Sequence, residues 1–567
     1  MKMAIPKPKA KKINIFKDHG GRTAFLIGAI LGAVTFIVIF GASMISPSNT
    51  NWIFAYTGDA TQHHLGWVFF RNTPWTFPIG LTDGLCCDGK VSCMYSDSIP
   101  LFGLIFKILS PLLPENFQFL GLWGVICFAL NGGFGASLLY RIKPDIIFTS
   151  VGSLFYSAFP PSINRITHHN SLGAIWLFII AMILCLDHKK EYKHKFTPMI
   201  LWAVNCMLAV LIHTYFVPMV FMVMMGYVIL VTFRDKKFIK AVAVFGTSVA
   251  ATLLTLFIIG AFYGNGGYID GGFGGYSSNL NTFFDSRGLS KFLRPLNSFD
   301  GQGEGFGYLG LGMIVCVIIA VIILFSLIEK KEGSFFKAAG GLFKKYKVEF
   351  WAFAAVFMVS FCWAVSNRIT LNGRLLLEIP LPRLVRGCLS VFRCSGRFIW
   401  VPGVIIMTSA MALVSKLTRK TAIAAVGLCF LIQGMDIRDW CRILHSQYAQ
   451  PPAYEYALKD EKWEELTKDT KEIIFLPMKD AYGLYMQMYF DFSQMAAKKH
   501  MSLSSFYLAR MELKSVQKYA QEQYDQLKAG NGRKDVLYVF FDKEDAVEET
   551  ENTKVYEIDG YTVAKVK

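Results

Sequence analysis

Long apolar runs recur along most of the 567-residue sequence, and they constrain its fold more than any other feature. The first run, Thr23–Ile45, is long enough to cross a bilayer, since a crossing takes about 20 residues. A secretory signal would have a shorter apolar stretch of roughly 7–15 residues and a small-residue cleavage site. We therefore expect an uncleaved membrane helix, preceded by a basic segment over residues 1–22.

Further apolar runs follow the first. They lie at Phe117–Tyr140, Asp145–Ile163, Ser171–Leu186, Phe196–Ile212, Phe216–Phe233, Ala241–Phe262, Tyr308–Ile328, Val348–Val365, Phe398–Val414 and Thr421–Met435. The chain is 53% hydrophobic and only 17% charged, whereas soluble domains carry roughly 25% charged residues. These features predict a polytopic α-helical membrane protein with about eleven transmembrane helices within residues 23–437.

The basic residues predict how the chain is oriented in the membrane. The formal net charge of +17 comes from short clusters between the apolar runs, such as HKKEYKHK (188–195) and RDKKFIK (234–240). Such clusters are typical of cytoplasmic loops, and they argue against a face that binds nucleic acid. Loops on the side of the N-terminus carry about twice as many Lys and Arg residues as the opposite loops. We expect a cell-membrane protein with a cytoplasmic N-terminus and an extracytoplasmic C-terminal part.

This orientation places three large loops and the polar tail outside. The loops are residues 46–115, 264–307 and 366–397, and the tail is residues 438–567. Disulfides can form in that compartment, so Cys93 could pair with Cys86 or Cys87, and Cys388 with Cys394. The pairing stays open at this point.

The tail alternates two kinds of pattern. Strand-like runs are KEIIFLPM, DVLYVFFD and KVYEIDGYTVAKVK, and helical patterns lie near Tyr482–Lys499 and Ala509–Leu527. This order predicts a small extracytoplasmic α/β domain.

Polar residues that could carry chemistry first appear in the string GDATQHHLGWVFFR (58–71). Asp59 is followed there by His63, His64 and Arg71, with aromatic residues close by. A carboxylate in aromatic, partly dry surroundings is a candidate general base, because desolvation raises its pKa. The alternative is that Asp59 caps a helix that begins at Ala60.

A second polar group follows the third apolar run, in SINRITHHNSLGAIW (162–176). Arg165 could bind a phosphate, and His168 could position a substrate or bind a metal. His169 and Asn170 come next, and the alternative reading is a polar helix cap with Asn170 as the N-cap. His213 could join the same site from a neighbouring hairpin.

A third group, VFRCSGRFIWVPG (391–403), holds Arg393 and Arg397. If this stretch is helical, the two side chains share one face, because they are four residues apart. Two arginines on an outward surface are unexpected under the positive-inside rule, which favours a phosphate-bearing ligand. The alternative is that they contact lipid headgroups or carboxylates of neighbouring loops.

These strings together resemble a family. GDATQHHLGWVFFR with WTFPIG, NRITHHNSLGAIWL, EGFGYLGLG, FRCSGRFIW and HMSLSSFYLAR occur in the order found in a bacterial branch of the GT-C superfamily of membrane glycosyltransferases. The resemblance covers nearly the whole chain. It implies a sugar donor linked to polyprenyl phosphate or pyrophosphate, and an acceptor hydroxyl on a cell-envelope glycan, lipid or protein.

The resemblance also implies roles for the residues above. Asp59 matches the catalytic acidic residue, and direct displacement at the sugar would invert the anomeric centre. The leaving lipid phosphate needs positive charge, which could come from Arg71, Arg165, Arg393 and Arg397. Residues expected to position substrates are His63, His64, His168 and Glu304. Some branches use a second carboxylate and a divalent metal, so a metal cofactor stays open here. The carboxylates available for this, outside the matched strings, are Asp83, Asp88 and Asp97.

Two other classes of protein also fit a chain with many spans. A transporter or lipid flippase of cell-envelope precursors would place ionisable residues near the bilayer midplane. In this sequence most of them fall in the loops, which favours an enzyme. A non-catalytic scaffold whose tail binds a partner is the third reading.

Overall fold

We describe the fold from a computed structural model, over residues 19–56, 58–87, 89–263, 272–332, 346–479 and 482–567. Most of the predicted basic N-terminal segment, Asp88 and part of the predicted loop 264–307 lie outside these residues. The α-helices are α1 (His19–Phe40), α2 (Asn51–Ala55), α3 (Asp59–Asn72), α4 (Pro100–Ile108), α5 (Leu120–Ile142), α6 (Ile146–Ser157), α7 (Pro160–Ile166), α8 (Trp176–Leu186), α9 (Thr197–Ile212), α10 (Phe216–Ile229), α11 (Phe238–Ile258), α12 (Leu311–Glu332), α13 (Lys347–Val365), α14 (Arg383–Ser390), α15 (Trp400–Val414), α16 (Arg419–Asp436), α17 (Arg438–Ala449), α18 (Lys462–Thr467), α19 (Tyr482–Lys499) and α20 (Leu513–Lys528).

The strands form three sheets. They are β1 (Leu81–Thr82), β2 (Val91–Ser92), β3 (Arg368–Leu371), β4 (Arg374–Glu378), β5 (Glu472–Leu476), β6 (Ser502–Leu503), β7 (Val536–Phe540), β8 (Thr553–Ile558) and β9 (Tyr561–Val566). The pairs β1–β2 and β3–β4 are small antiparallel ribbons in the loops that follow α3 and α13. The remaining five strands form one sheet in the C-terminal domain.

The apolar helices make this a multi-pass membrane protein. Six helical segments of the described chain are long and apolar enough to cross a membrane, or up to eight if each of two bent pairs is one span. Every apolar run predicted from the sequence is helical. Three of them, however, form helices of 10–17 residues, which are shorter than the ~20 residues of a straight crossing. Length and composition therefore support six to eight spans instead of about eleven.

The two bent pairs have recognisable causes. The helices α6 and α7 meet at 50°. Pro160 and Pro161 are the first residues of α7. Proline is tolerated there because the first N–H groups of a helix have no intrahelical acceptor, but its ring prevents α6 from continuing straight into α7. The helices α16 and α17 meet at 60°. At that joint the buried Asp436 accepts hydrogen bonds from the Tyr308 hydroxyl (2.7 Å) and the Leu311 amide (3.0 Å).

The polar tail begins with a helix that belongs to the membrane part. Helix α17 packs back against α1 and the turn after it, where the Ser43 hydroxyl donates to the Tyr448 carbonyl (2.9 Å). The α/β fold itself starts at α18. Its sheet has the order β6-β5-β7-β9-β8, in which β6, β5 and β7 are parallel and β9 runs antiparallel to both of its neighbours.

The structure confirms the strand-like and helical runs predicted in the tail. Strands β5 and β7 are buried along their whole length, which is why their sequences, apart from Glu472 at the start of β5, are continuously apolar instead of alternating. Helix α20 begins at Leu513, four residues later than the predicted helical pattern. Strand β6 has only two residues, too few to show a pattern in the sequence.

The C-terminal domain docks on the loop that follows α1. Leu65 and Phe69 of α3 join a hydrophobic cluster with Phe490 and Phe506 of the domain. The Leu503 amide also donates to the Gly84 carbonyl at 2.8 Å. Helix α3 is therefore enclosed between the membrane helices and the C-terminal domain.

The disulfides that the sequence left open do not form in the part of the chain that the structure describes, where Cys93, Cys388 and Cys394 take part in no disulfide. Cys388 is exposed on α14, whereas Cys394 is buried and its amide donates to the Tyr215 hydroxyl at 2.9 Å. Cys93 is completely buried in the main hydrophobic core.

Candidate functional site

Acidic and histidine side chains meet in a largely buried cluster at the N-terminal end of α3. We call Asp59, His63, Asp97, His169 and His213 the Asp59 cluster. The carboxylate of Asp59 (Oδ2) lies 3.4 Å from His169 Nε2, and Asp97 Oδ1 lies 3.5 Å from His213 Nε2. The rings of His63 and His169 stack with their centroids 6.0 Å apart. Segments far apart in the sequence therefore build one polar pocket.

The position of Asp59 excludes the capping role that the sequence left open. The N-cap of α3 is Gly58, and Asp59 is the first helical residue, with no side-chain capping hydrogen bond at this end. The Gly58 amide donates instead to Thr61 Oγ1 at 3.4 Å. His63 follows Asp59 by one turn on the same face of α3. The carboxylate of Asp59 is thus directed into the cluster.

Asp97 enters the cluster from a strained loop. Its φ of 53° and the φ of 48° at Ile99 lie in the left-handed region, which a β-branched residue such as Ile99 rarely adopts. This loop packs tightly on α3, since a Cβ added at Gly66 would lie 2.3 Å from Ser96 Oγ. Strain of this kind persists where surrounding contacts impose it, and it is concentrated at functional sites.

Burial sets the protonation of the Asp59 cluster. It raises the pKa of Asp59, an effect partly opposed by His168, and it raises the pKa of Asp97 to about 7. It lowers the pKa of His63 to about 3 and the pKa of His169 well below its ordinary value. The imidazoles are therefore neutral near pH 7, and the carboxyl groups hold protons more tightly than usual.

Three members of the cluster fit a divalent metal ion. One ligand atom each from His63, Asp97 and His169 lies within 4.8 Å of the others. Neither ring nitrogen of His63 has a hydrogen-bond partner among the described residues, and neither does Nδ1 of His169. Buried polar atoms without partners need an explanation, and two neutral imidazoles with one carboxylate suit Zn²⁺ or a similar transition metal.

A second charged cluster adjoins the first. We call Arg165, Glu304 and Arg397 the Arg–Glu cluster. Glu304 Oε2 accepts from Arg165 Nη2 at 3.0 Å and from Arg397 Nε at 2.7 Å, and both arginine side chains are only 5% exposed. Burial alone would raise the pKa of Glu304, but the two guanidinium groups outweigh it and hold that pKa well below its usual range. The cluster keeps a net positive charge beside Asp59 and Asp97.

Two glycines explain how Glu304 and Arg397 come together. They lie on the 3₁₀ turns Gln302–Gly305 and Ser395–Ile399. A Cβ added at Gly396 would lie 2.5 Å from the Gly305 Cα, so only glycine allows the two turns to touch. These glycines belong to the strings EGFGYLGLG and FRCSGRFIW singled out in the sequence.

Arg393 and Arg397 do not share a helical face, because the stretch that holds them is not the continuous helix that this prediction assumed. Helix α14 ends at Ser390 and the next turn starts at Ser395, so the chain between them is not helical. Arg397 lies over the Tyr215 ring (4.6 Å to the centroid), and the half-buried Arg393 lies over the Tyr276 ring (5.7 Å). In the part of the chain that the structure describes, no carboxylate forms an ion pair with Arg393.

Three other predicted site residues lie apart from the clusters. Arg71 is about three turns further along α3, roughly 18 Å of helix rise from Asp59, and donates to the Ser110, Leu113 and Pro114 carbonyls. His64 packs edge-on against Phe54, with the ring centroids 5.6 Å apart. His168 is exposed, with Nδ1 2.8 Å from Thr167 Oγ1, and its neighbour His169 is the one that contacts Asp59.

The C-terminal domain adds Tyr507, a residue that was not singled out in the sequence. Burial raises the pKa of its hydroxyl to about 12; the nearby carboxylates of Asp59 and Asp97 act in the same direction, and Arg393 opposes them. The Gln62 amide donates to the Tyr507 carbonyl, which ties this segment to α3. Tyr507 lies in HMSLSSFYLAR, so the family resemblance was the one signal that pointed towards it.

The fold and the site define a multi-pass membrane protein whose C-terminal α/β domain closes over a buried carboxylate–histidine–arginine pocket. The family described as domain of unknown function (DUF6311) matches residues 29–438, and the DUF6311 C-terminal domain matches residues 462–566. The chain belongs to the DUF6311 family. No curated protein matches it in sequence.

Two solved structures are similar to the chain. The Archaeoglobus fulgidus oligosaccharyltransferase in the apo form shares 13% identity with a TM-score of 0.43, and the match covers 87% of this chain and 65% of that one. The archaeal oligosaccharyltransferase AglB from the same organism, in complex with an inhibitory peptide and a dolichol-phosphate, shares 13% identity with a TM-score of 0.42, over 93% and 70% of the two chains. The chain thus spans less than two thirds of the first structure's length.

Proposed function

We propose that the protein is a GT-C-type membrane glycosyltransferase. It moves a sugar from a polyprenyl-(pyro)phosphate donor to an acceptor hydroxyl on the outer face of the cell membrane. The observation that carries the proposal is the setting of Asp59: its carboxylate has no capping role, is mostly buried, and lies beside arginines that can receive a phosphate. The sequence resemblance described above supports the same class of reaction.

Asp59 serves as the general base in this proposal. The acceptor oxygen bonds to the anomeric carbon of the sugar, and its proton passes to the Asp59 carboxylate. The bond between that carbon and the donor phosphate oxygen breaks, and the electron pair leaves with the phosphate. Because the acceptor attacks opposite the leaving group, the anomeric centre is inverted. Burial raises the pKa of Asp59 towards the working pH, which makes it a better base.

The arginines divide the work at the leaving phosphate. Arg393 forms no ion pair with any carboxylate that the structure describes, so its planar guanidinium is free to bind phosphate oxygens in a bidentate manner. Arg165 and Arg397 are held in place by Glu304 and contribute positive charge from behind. Fixed charge of this kind stabilises the developing negative charge without reorganisation. In this proposal Glu304 therefore positions the arginines.

His63, Asp97 and His169 would hold a divalent metal ion, which when bound would supply positive charge for the donor phosphate. His169 also contacts Asp59 directly and fixes the direction of its carboxylate. Tyr507 closes the pocket from the C-terminal domain and limits the access of water to it.

The proposed orientation has the N-terminus in the cytoplasm and the C-terminal domain outside. The excess of basic residues in the loops on the N-terminal side supports it. A reporter fused after Lys567 should be extracytoplasmic, and a cysteine introduced at Lys190 should be protected from an impermeant thiol reagent. A cytoplasmic reporter would contradict this orientation.

The direct test of the function is a transfer assay. Purified full-length protein is incubated with a panel of polyprenyl-linked sugars and candidate acceptors, and released lipid phosphate is measured. We expect release from at least one donor, dependent on an acceptor. Binding of donors without any release, or transport of intact donor in proteoliposomes, would contradict the proposal.

A further inference from the structure

A cavity of about 640 Å³ lies on the outside of the bundle, away from the Asp59 cluster. Its walls are apolar residues of α1, α6 and α16, among them Val34, Leu154 and Phe430. Helix α17 covers one end and contributes Arg438 and Arg442 to the lining. We call this cavity the α17 groove. It combines a hydrocarbon-like interior with a cationic end.

Helix α17 has a basic face and a face that packs against the rest of the protein. Arg438, Arg442 and His445 follow a spacing of four and three residues, which places them on one face of the helix. The side chains that pack against the rest of the protein are Trp440, Leu444 and Tyr448. Because α17 turns away from α16 by 60° and packs Trp440, Leu444 and Tyr448 inward, it has the character of an amphipathic helix at the membrane surface.

The cationic end of the groove has no ion-pair partner among the residues that the structure describes. Both Arg438 and Arg442 are exposed, and no described carboxylate lies within ion-pair distance of either one. This differs from Arg165 and Arg397, which share Glu304. His445 Nδ1 lies 2.9 Å from the Val38 carbonyl oxygen near the end of α1 and donates to it, which anchors α17 over the groove.

Small side chains keep the groove open. Gly434 and Ala158 both line it. A Cβ added at Gly434 would meet no atom within 4 Å, so a larger side chain there would enter the groove without a clash. The position faces the space into which a hydrocarbon chain would fit.

We propose that the α17 groove binds an anionic phospholipid of the bilayer. Arg438 and Arg442 bind the headgroup phosphate, and one hydrocarbon chain lies along the apolar walls. Two guanidinium groups match phosphate oxygens in geometry and charge, and the apolar walls exclude a purely polar ligand. The groove lies on other helices than the Asp59 cluster, so this lipid is distinct from the proposed sugar donor.

The test measures lipid retention by the full-length protein in detergent, by native mass spectrometry, with phosphatidylglycerol, phosphatidylcholine and inorganic phosphate as probes. We expect phosphatidylglycerol to bind in preference to phosphatidylcholine, and inorganic phosphate not to displace it. The double variant R438A/R442A should weaken phosphatidylglycerol binding at least about tenfold, because hydrogen bonds to a charged phosphate are lost. Gly434→Leu should also weaken phosphatidylglycerol binding, because the leucine side chain would occupy the space of the hydrocarbon chain.

Two matched controls separate this site from general effects. Gly246→Leu on α11 also places leucine where a Cβ meets nothing within 4 Å, and should leave binding unchanged. K468A/K534A removes the same charge from exposed positions of the C-terminal domain and should also bind as the wild type. Unchanged binding in R438A/R442A, equal binding of the two phospholipids, or displacement by a tenfold lower concentration of polyprenyl phosphate would overturn the proposal.

Discussion

The C-terminal domain and the Asp59 cluster both bury acidic side chains, but they provide different partners for them. In the domain, Glu472 accepts from the Tyr519 hydroxyl (2.9 Å) and from Arg533 Nη1 (2.7 Å). Asp491 accepts from the Tyr561 hydroxyl and from Gln487. In the Asp59 cluster the nearest partners are histidines at 3.4–3.5 Å, and both ring nitrogens of His63 lack one among the described residues.

The difference shows which region is built for stability and which for a ligand. A fully satisfied polar network stabilises and rigidifies a fold, whereas an unsatisfied buried group costs free energy. Buried groups without partners are therefore concentrated at sites where they bind a ligand or take part in a reaction. The Arg–Glu cluster lies between these cases, because Glu304 is satisfied while the two arginines share a single carboxylate.

Loss of Glu304 should have the largest effect on stability. Glu304→Ala leaves Arg165 and Arg397 buried without an opposite charge, and breaking a buried ion pair in this way costs about 3–5 kcal/mol. We expect a large drop in thermal stability in detergent. As a control, Glu455→Ala removes an exposed pair with Lys459 and should change little. A stable Glu304→Ala protein would mean that the arginines find other partners or remain hydrated.

Metal binding should stabilise the protein through the Asp59 cluster. Zn²⁺ or Mn²⁺ at about 100 times its dissociation constant should raise the unfolding free energy by ~2.7 kcal/mol. The rise should vanish in His63→Ala, which removes a ligand, and persist in His64→Ala, whose ring packs against Phe54. Differential scanning fluorimetry with and without chelator measures both. An equal response in the two variants would place the metal elsewhere.

Glu472→Ala should destabilise the C-terminal domain by about 1–3 kcal/mol, because the Tyr519 hydroxyl and Arg533 lose their shared acceptor. Transfer by the folded fraction should stay at the wild-type level, since Glu472 lies outside both clusters. Urea unfolding followed together with activity checks this. Parallel loss of activity in the folded protein would show that the domain does more than close the pocket.

Arg393→Lys should weaken use of the donor about tenfold, the smallest effect of this series. A lysine keeps the charge but loses one of two hydrogen bonds to the phosphate, which is worth ~1.5 kcal/mol. The change should appear in the KM for the donor. Arg383→Lys, on the exposed start of α14, is the matched control. If the KM for the donor is unchanged in Arg393→Lys, Arg393 contributes only positive charge and does not bind the phosphate in a bidentate manner.

Much of the fold follows from the sequence because its signals are local. Apolar runs such as Thr23–Ile45 and strand-like runs such as KEIIFLPM carry their structure within a few residues, and these runs form the helices and strands that their patterns indicate, although three of the helices are short. The number of crossings was harder to predict, because three of the apolar runs form helices shorter than a straight crossing and the run Asp145–Ile163 is bent at Pro160.

The site could be predicted only in part, because its geometry depends on contacts between distant segments. Asp59, Arg165 and Arg397 were identified by residue type and string. Asp97 depends on a left-handed loop fixed by Gly66, and no local pattern marks it. Arg71 was predicted to belong to the site because it lies in the same string as Asp59. The structure shows that its guanidinium instead donates to the Ser110 and Leu113 carbonyls.

The most direct test of the account is the transfer activity of Asp59→Asn. Asn keeps the size of the side chain, and residue 59 does not cap α3, so the variant should fold with thermal stability close to the wild type. It should still bind donor, yet transfer should fall by ~10²–10⁴-fold, the contribution typical of a general base. Full transfer activity in a well-folded Asp59→Asn protein would contradict the catalytic role of Asp59 and, with it, the proposed function.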